Sequence, residues 1–396
     1  MYLKYFFAAA FSFWIIPAFS QPNTLENQRV IVGAEQMEEL LHLLCDKQAA
    51  LVVNHSSLVG NTHLVDTLYD IGACVVRIFA PEHGFRGAED AGETVRDGSD
   101  IRTGIPIVSL YGRKKKPGRE DLEGIDVVVF DIQDVGARFY TYISTLFYVM
   151  EACAEQGKQV IILDRPNPNG HYVDGPVLDT RFSSFVGIAP LPVVHGCTIG
   201  ELARLFAGEY WIGQADKINL QVIPCKNYTH RTPYDLPVGT SPNLPNTRAA
   251  LLYPSLCFFE GTEVSLARGT PAPFQMVGHP GYPDSSFSFI PRRGFAAKYP
   301  PQEGKVCFGK DFRSIPMDTL RQIHSLNLAL LLDFYECVPN PETFFLANHF
   351  FDLLAGNSTL REQIIARKSE AEIRASWQYE LRLFKEIRKK YLLYSE

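Results

Sequence analysis

The first half of the chain alternates short apolar runs with stretches of helical spacing. Residues 126–132, DVVVFDI, form the strongest apolar run, and residues 140–156 form a long amphipathic stretch that stops at Gly157. Because strands that alternate with helices form parallel sheets, this rhythm predicts an α/β fold. The other predicted strands are 49–53, 75–79, 106–110, 159–163 and an edge strand at 220–224, and the other predicted helices are 62–71 and 198–208.

Each of four predicted strands runs into a polar cluster at its carboxyl end. Because parallel strands end at one edge of a sheet, the clusters should meet in a single polar cleft, where open α/β sheets bind their ligands. Polar loops in general explain any one cluster, but they explain four less well. The clusters are Asn54-His55, Glu82-His83, Asp131-Gln133-Asp134 and Asp164-Arg165-Asn167.

The loop after the predicted strand 75–79 carries the clearest catalytic candidate. It reads IFAPEHGFRGAEDAGE over 78–93 and holds Glu82 between a proline and His83. A partly buried glutamate can stay protonated at neutral pH and act as a general acid. A solvated acidic loop is the alternative, since the same loop also contains Arg86, Glu89, Asp90 and Glu93.

Several classes of enzyme lose support from the sequence. No GxGxxG follows the first strand, and there is no phosphate-binding P-loop, HExxH or GxSxG motif. His55, His83 and Asp131 can be drawn as a metal site, but their spacing is not diagnostic and no metal is expected. The formal net charge of −6 gives no electrostatic reason to expect a nucleic acid partner.

The first 20 residues resemble a secretory leader. Lys4 supplies the positive charge, residues 5–17 are apolar but too short to span a membrane, and Ala18-Phe19-Ser20 is a small-x-small cleavage site. No later apolar run is long enough to cross a bilayer. We therefore expect an exported protein, in a periplasm or outside the cell, with no stable membrane insertion.

The eight cysteines are scattered, without a CxxC pair or zinc-ligand spacing. Most lie in apolar runs, for example after Leu43-Leu44, which favours buried free thiols over disulfides. The charged run Lys114–116 is interpreted most simply as a solvated loop.

From about His230 the strand–helix rhythm stops. Prolines and glycines crowd 232–283, and the last third has helical patterns at 317–334, 345–354, 360–366 and 370–391. The sequence thus predicts a leader over 1–20, an α/β domain over 21–229 and a smaller α+β domain over 230–396. The apolar stripe of the last helix, which we expect to be core, is Ile373, Trp377, Leu381, Phe384 and Ile387.

Acidic and aromatic side chains at a cleft suit a carbohydrate. Tyr140 and Tyr142, in ARFYTY, can stack on a sugar ring, and Arg138 can pair with a substrate carboxylate. The alternatives are packing at a helix start for the tyrosines and a salt bridge to Asp134 for Arg138. N-acetylated sugars need only one protein carboxyl group when the acetamido oxygen attacks the anomeric carbon, whereas other glycosidases need two.

Several long segments, in order, resemble one family over nearly the whole chain after the leader. They include PEHGFRG, GIDVVVFDIQDVGARFYTYISTL, LDRPNPNG, HGCTIGELA, SPNLPN and FFEGTEVSLARGTPAPF. The chain is similar in these segments to the exo-β-N-acetylmuramidase family of the NamZ type. Ala80 and Cys197 replace the family's serine and methionine, and the stretch after the first strand reads NHSS, so a binding role transfers better to Asn54 than to His55.

The resemblance implies a Rossmann-like domain and a smaller C-terminal domain with the active site between them. It implies release of N-acetylmuramic acid from the non-reducing ends of peptidoglycan fragments, without a cofactor. Glu82 would be the general acid, and Asp131, Gln133, Tyr140 or His83 would orient the acetamido group or the water. Arg86, Arg138 or Arg268 would hold the lactyl carboxylate. The further binding candidates are Asn54, Tyr142, Asp164, Asn167, His195, Asn243 and Glu260.

Three other functions stay open at this point. One is a hexosaminidase that prefers N-acetylglucosamine termini and needs no arginine for a lactyl group. Another is an exported sugar-binding protein without turnover, and a third is a cell-wall interaction protein. Glu260 and Arg268 can line the cleft from the second domain or form a structural ion pair.

Overall fold

A computed structural model of the chain describes residues 29–86, 97–294 and 296–396. The predicted leader, 1–20, lies outside the described residues, as do Glu89, Asp90 and Glu93. The strands of the first part are β1 Ala49–Val53, β2 Leu58–Val59, β3 Thr62–His63, β4 Val75–Ala80, β5 Gly98–Ser99, β6 Pro106–Ser109, β7 Val127–Asp131, β8 Gln159–Leu163, β9 Asp174–Val177, β10 Pro192–Val194 and β11 Asn219–Ile223. Its helices are α1 Met37–Leu44, α2 Leu64–Asp70, α3 Tyr142–Gln156 and α4 Ile199–Gly208.

Seven of these strands form the central sheet, in the order β11-β8-β7-β1-β4-β6-β5. All neighbouring pairs are parallel except β5 and β6. Without the antiparallel edge strand, this is the doubly wound order of a Rossmann fold, in which the strand order reverses beside β1. The predicted parallel α/β fold is confirmed, and β11 is the edge strand that its sequence predicts.

The central strands are buried on both faces, which explains why they appear as continuous apolar runs. Alternate residues face opposite layers: Val128 and Phe130 pack in the layer with α3 and α4, whereas Val127 and Val129 pack in the layer with α1 and α2. Two helix ends follow from local sequence. Gly157 ends α3 in the left-handed conformation, and Thr198 and Glu201 form the predicted capping box of α4.

The second part consists of helices and one small sheet. Strands β12 Met276–His279, β13 Ser288–Phe289 and β14 Cys307–Asp311 form an antiparallel sheet with β14 in the centre. The helices are α5 Thr247–Leu256, α6 Met317–Arg321, α7 Leu328–Cys337, α8 Pro341–Phe344, α9 Phe350–Ala355, α10 Thr359–Ile365, α11 Glu370–Ser376 and α12 Gln378–Lys389. Its apolar side chains join the core cluster that contains Val128 and Phe130, so both parts share one core.

Two helices that the sequence predicts as continuous are each broken in two. The predicted helix 317–334 is interrupted before α7, where the Asn327 side chain caps the new helix by accepting from Leu330 N at 3.1 Å. The predicted helix 370–391 is interrupted at Trp377, next to Ser376, whose hydroxyl donates to the Ile373 carbonyl at 2.7 Å. Periodicity alone does not reveal either break, because the apolar stripe continues across it.

Six of the eight cysteines lie at least partly inside the protein, and none forms a disulfide. Cys45, placed in an apolar run by its sequence, is exposed together with Cys74, because it lies just beyond the end of α1. None of the helices in residues 29–86, 97–294 and 296–396 combines the length and apolar character needed to cross a bilayer.

We expect Phe384→Ala to lower the free energy of unfolding by about 3–5 kcal/mol, because its ring is 2 % exposed in the shared core. Leu383, the preceding residue of α12, is 49 % exposed, so Leu383→Ala should change stability by less than about 0.5 kcal/mol. Urea unfolding of both variants tests this. Equal effects would mean that α12 does not dock through this face.

Candidate active site

A cavity of about 590 Å³ opens at the carboxyl edge of the sheet, where the loops after β4 and β7 meet the second part of the chain. Polar and aromatic side chains from both parts line it. They include Glu82, His83, Tyr111, Lys115, Phe139, Tyr140, Thr141, Tyr142, Phe185, Ser241, Asn243, Tyr253, Cys257, Glu260 and Arg268. Seven of the predicted site residues are therefore brought together: Glu82, His83, Tyr140, Tyr142, Asn243, Glu260 and Arg268.

Glu82 lies in a tight turn directly after β4. The Gly84 N–H donates to the Pro81 carbonyl at 3.0 Å, and His83 adopts a left-handed conformation with φ of 69°, which is uncommon for a residue with a side chain. The Thr141 hydroxyl donates to Glu82 Oε2 at 2.6 Å. No described atom bonds the other oxygen, Oε1, so this half-buried carboxyl group is oriented by the protein and keeps one oxygen for a ligand.

Tyr142 is the first residue of α3 and Tyr140 lies two residues before it; their rings pack edge to face, with centroids 4.9 Å apart. The Tyr140 hydroxyl donates to the Thr240 carbonyl at 2.8 Å, and the Tyr142 hydroxyl lies 3.4 Å from the Glu82 carbonyl. Burial raises the pKa of both phenols, so both stay protonated donors. The packing alternative and the sugar-contacting one are thus compatible: the rings support each other while they line the cavity.

The wall contributed by the second part carries Glu260 and Arg268. Their side chains form an ion pair of 2.8 Å, and the Cys257 thiol lies 3.5 Å from the second carboxylate oxygen. Asn243 donates from Nδ2 to the Ala296 carbonyl at 2.9 Å, while its buried Oδ1 has no hydrogen-bond partner in the described part of the chain. The pair and the amide lie inside the cavity, so the two alternatives for Glu260 and Arg268 hold together.

Asn54 and His55 directly follow β1 and lie outside the cavity lining. Asn54 is fully buried, and its Oδ1 accepts from the backbone and hydroxyl of Ser56 at 2.9 and 2.6 Å. The His55 ring is bonded through Nε2 to the Gly239 carbonyl at 2.7 Å, and burial lowers its pKa. His55 thus holds the segment that leads to Thr240, Asn54 stabilises the turn after β1, and neither residue lines the cavity.

Asp131 and Gln133 are placed away from the cavity, contrary to the catalytic and binding roles that the sequence suggests. Both Asp131 oxygens bond to the Arg165 guanidinium, at 2.5 and 2.9 Å, and both side chains are buried. Gln133 donates from Nε2 to the carbonyls of Asp134 and Pro166, at 2.8 and 2.7 Å. Both Asp131 oxygens and the Gln133 Nε2 group thus bond to internal partners, whereas the buried Gln133 Oε1 has none in the described part of the chain.

Two of the three candidate arginines for a substrate carboxylate are also placed elsewhere. Arg138 is 1 % exposed and donates to three backbone carbonyls rather than to Asp134, and burial lowers its pKa to about 9. Arg86 pairs with Asp66 and Asp100, at 3.3 and 2.9 Å, beside the cavity but not in its lining. Arg268 is the one candidate of the three that reaches the cavity.

Asp164, Asn167 and His195 are buried behind the sheet edge. Asp164 accepts from the Tyr394 hydroxyl at 2.6 Å and from Thr198 at 2.7 Å, and burial raises its pKa to about 6. Asn167 donates to the Cys197 carbonyl at 2.9 Å, and burial lowers the pKa of His195 to about 3. His195 accepts from the Cys197 N–H at 3.1 Å through Nδ1. All three residues are bonded inside the protein and none lines the cavity.

Sequence reasoning missed several lining residues. Phe139 and Thr141 belong to the ARFYTY segment that already drew attention to its tyrosines, so their position was available. The charged run Lys114–116 was interpreted as a solvated loop, yet Lys115 lines the cavity. Phe185 gave no signal in the sequence. Among the described residues, no group of three or more His, Cys, Asp or Glu side chains is arranged to hold a metal ion.

A cavity lined by tyrosines and phenylalanines, with an oriented carboxyl group and an Asn amide, is typical of an enzyme that acts on carbohydrates. The fold and the site together define an α/β glycosidase. Two family models match nearly the whole described chain: the N-terminal part of exo-beta-N-acetylmuramidase NamZ over residues 49–248 and its C-terminal part over 251–394. The chain belongs to the NamZ family.

Individual relatives agree with this assignment. The chain is 37% identical to the peptidoglycan beta-N-acetylmuramidase NamZ of Bacillus subtilis, over 95% of this chain and 94% of that protein. Two crystal structures of DUF1343 family proteins from Bacteroides fragilis share its fold. The first has a TM-score of 0.86 and 46% sequence identity, over 93% of this chain and all of that chain. The second has a TM-score of 0.78 and 27% sequence identity, over 93% of this chain and 99% of that chain. The family models meet between 248 and 251, and the predicted domain boundary at 230 stays a prediction.

We expect Asp131→Asn to lower the free energy of unfolding by about 3–5 kcal/mol, because it leaves the Arg165 charge buried without its partner. Thermal or urea unfolding measures this. The matched control is Asp70→Asn, since Asp70 also pairs with an arginine, Arg102, but at the surface, where such a pair contributes at most about 1 kcal/mol. An Asp131→Asn protein of unchanged stability that lost turnover would instead place this carboxylate in the chemistry.

Proposed function

We propose that this protein is an exo-acting β-N-acetylmuramidase that releases N-acetylmuramic acid from the non-reducing ends of peptidoglycan fragments. Membership of the NamZ family supports the activity, and the oriented carboxyl group of Glu82 at the cavity supports the chemistry. The cavity, of about 590 Å³, is large enough for one sugar ring and its substituents.

Glu82 acts as the general acid in this proposal. Its protonated carboxyl group gives the proton to the glycosidic oxygen as the bond from that oxygen to the anomeric carbon breaks. Thr141 donates to Oε2 and no described atom bonds Oε1, so in this proposal Oε1 is the oxygen that carries the proton. The resulting Glu82 carboxylate then accepts a proton from the water that completes the reaction.

The second group is supplied by the substrate in this proposal. Among the described cavity residues the only other carboxylate is Glu260, and Arg268 occupies it. The acetamido oxygen of the substrate can attack the anomeric carbon in its place, which needs a protein group that holds the acetamido N–H. Asn243 lines the cavity, and its buried Oδ1 is an acceptor without a partner in the described chain.

Purified 21–396 protein should release a chromophore from its β-N-acetylmuramide, and Glu82→Gln should lower kcat by about 10²–10⁴-fold because the amide cannot deliver the proton. The matched control is Glu120→Gln, since Glu120 is an exposed glutamate outside the cavity lining. Circular dichroism shows whether each variant is folded.

The corresponding β-N-acetylglucosaminide is assayed alongside. Turnover of the glucosaminide alone would assign the protein to the competing hexosaminidase activity. A folded protein that binds the muramide and turns over neither substrate would be a binding protein. Wild-type turnover by Glu82→Gln would remove Glu82 from the acid role.

We also propose that the protein is exported through its first 20 residues, which fits a substrate of the cell wall. The positive Lys4, the apolar segment 5–17 and the site Ala18-Phe19-Ser20 support this. Fractionation of cells that express the full chain should recover a form beginning at Gln21 outside the cytoplasm, whereas a chain lacking residues 2–17 should stay inside. Uncleaved full-length protein in the cytoplasm would contradict export.

A further inference from the structure

Three consecutive lysines lie beside the cavity, and their surroundings differ. Lys114 pairs with Asp121 at 3.0 Å, and Lys116 pairs with Glu151 and Glu155 at 2.7 and 2.8 Å. Lys115 between them lines the cavity, and its ammonium group lies 4.5 Å from the centroid of the Phe185 ring. No described carboxylate lies within ion-pair distance of it. The structure thus neutralises the two outer charges and leaves the middle one at the cavity.

The remaining cations do not offer the same opportunity. Among the described cavity residues, Lys115 and Arg268 alone carry a permanent positive charge, and Glu260 already balances Arg268 at 2.8 Å. Arg138 donates to backbone carbonyls, and Arg86 forms an ion pair with Asp100 outside the cavity lining. An anionic group that enters the cavity therefore finds its uncompensated partner at Lys115.

An aromatic platform fixes the position of this ammonium group. The Phe185 ring that carries it is nearly parallel to Tyr148, with centroids 6.5 Å apart, and lies 6.1 Å from Tyr111. A cation held over a ring face stays attracted to it and loses less freedom when it binds an anion. The lysine is half-buried, so water screens its charge less than at the open surface.

We propose that Lys115 is the specificity-determining residue that binds the lactyl carboxylate of a terminal N-acetylmuramic acid. This inference rests on the proposed function. N-acetylglucosamine has a hydroxyl where muramic acid has its lactyl ether, so it presents no charge to Lys115. Amidation of the lactyl carboxyl group also removes the charge. Lys115 would therefore distinguish a muramic acid with a free carboxylate from one whose carboxyl group is amidated.

The test compares two substrates that differ only in this charge: the chromogenic muramide and its lactyl N-methylamide. Lys115→Met should lower kcat/KM for the carboxylate substrate by about 10–100-fold, because it removes one partner of a partly desolvated ion pair. For the amide, the same substitution should change kcat/KM by less than about threefold, since no ion pair is lost. Lys115→Arg keeps the charge and should retain most of the wild-type selectivity.

Lys114→Met is the matched control, since it removes a neighbouring charge that Asp121 already balances outside the cavity. Its ratio of carboxylate to amide turnover should equal that of the wild type. Suppose that the wild type turns over the muramide, but Lys115→Met lowers kcat/KM equally for both substrates or for neither of them. The inference is then wrong and the proposed function stands. A wild type that turns over only the glucosaminide overturns both. Should Lys115→Met fail to fold, Lys115→Gln replaces it with the same criteria.

Discussion

The buried ion pair between Asp131 and Arg165 is the interaction on which the sheet edge depends. It joins the end of β7 to the second residue after β8, and the same guanidinium donates to the carbonyl of Leu58, in the short strand β2 that follows β1, at 2.9 Å. Two charges without water are stable only when each satisfies the other, so the three strand ends are held in one arrangement. The loop that carries Tyr140 and Thr141 leaves from this edge. The pair therefore sets the geometry of a site that it does not enter.

A second buried carboxylate ties the end of the chain to the same edge. Asp164 accepts from Tyr394, 230 residues away, and from Thr198 and the Gly200 N–H at the start of α4. Arg388 also donates to the Gly196 carbonyl at 2.6 Å. Together with the shared apolar core, these contacts hold the two parts of the chain against each other. The cavity lined by Glu82 from the first part and by Glu260 and Arg268 from the second therefore lies within this single core.

The sequence predicted the sheet well and the site only in part, for a physical reason. Buried parallel strands must be continuous apolar runs, so DVVVFDI revealed β7, and strand direction then fixed where polar side chains would gather. Whether a polar side chain at that edge reaches a ligand depends on partners distant in sequence, such as Tyr394 for Asp164. Asp131 and Arg138 are residue types expected at an active site, but their contacts hold the fold together. Lys115 was assigned to a solvated loop because it lies in a run of three lysines, a pattern that does not show which of the three faces a cavity.

The charges that remain in the cavity after internal pairing describe the ligand. Glu260 cancels Arg268, which leaves Glu82 in the loop after β4 and Lys115 beside Phe185 as the charged groups of the described lining without an ionic partner. A ligand that matches them has an oxygen able to accept a proton at one point and an anion at another, and a ring with an apolar face that can contact the aromatic side chains of the lining. A β-linked sugar that carries a carboxylate substituent has this pattern. A neutral sugar would satisfy Glu82 and leave the Lys115 ammonium group in contact only with Phe185 and water.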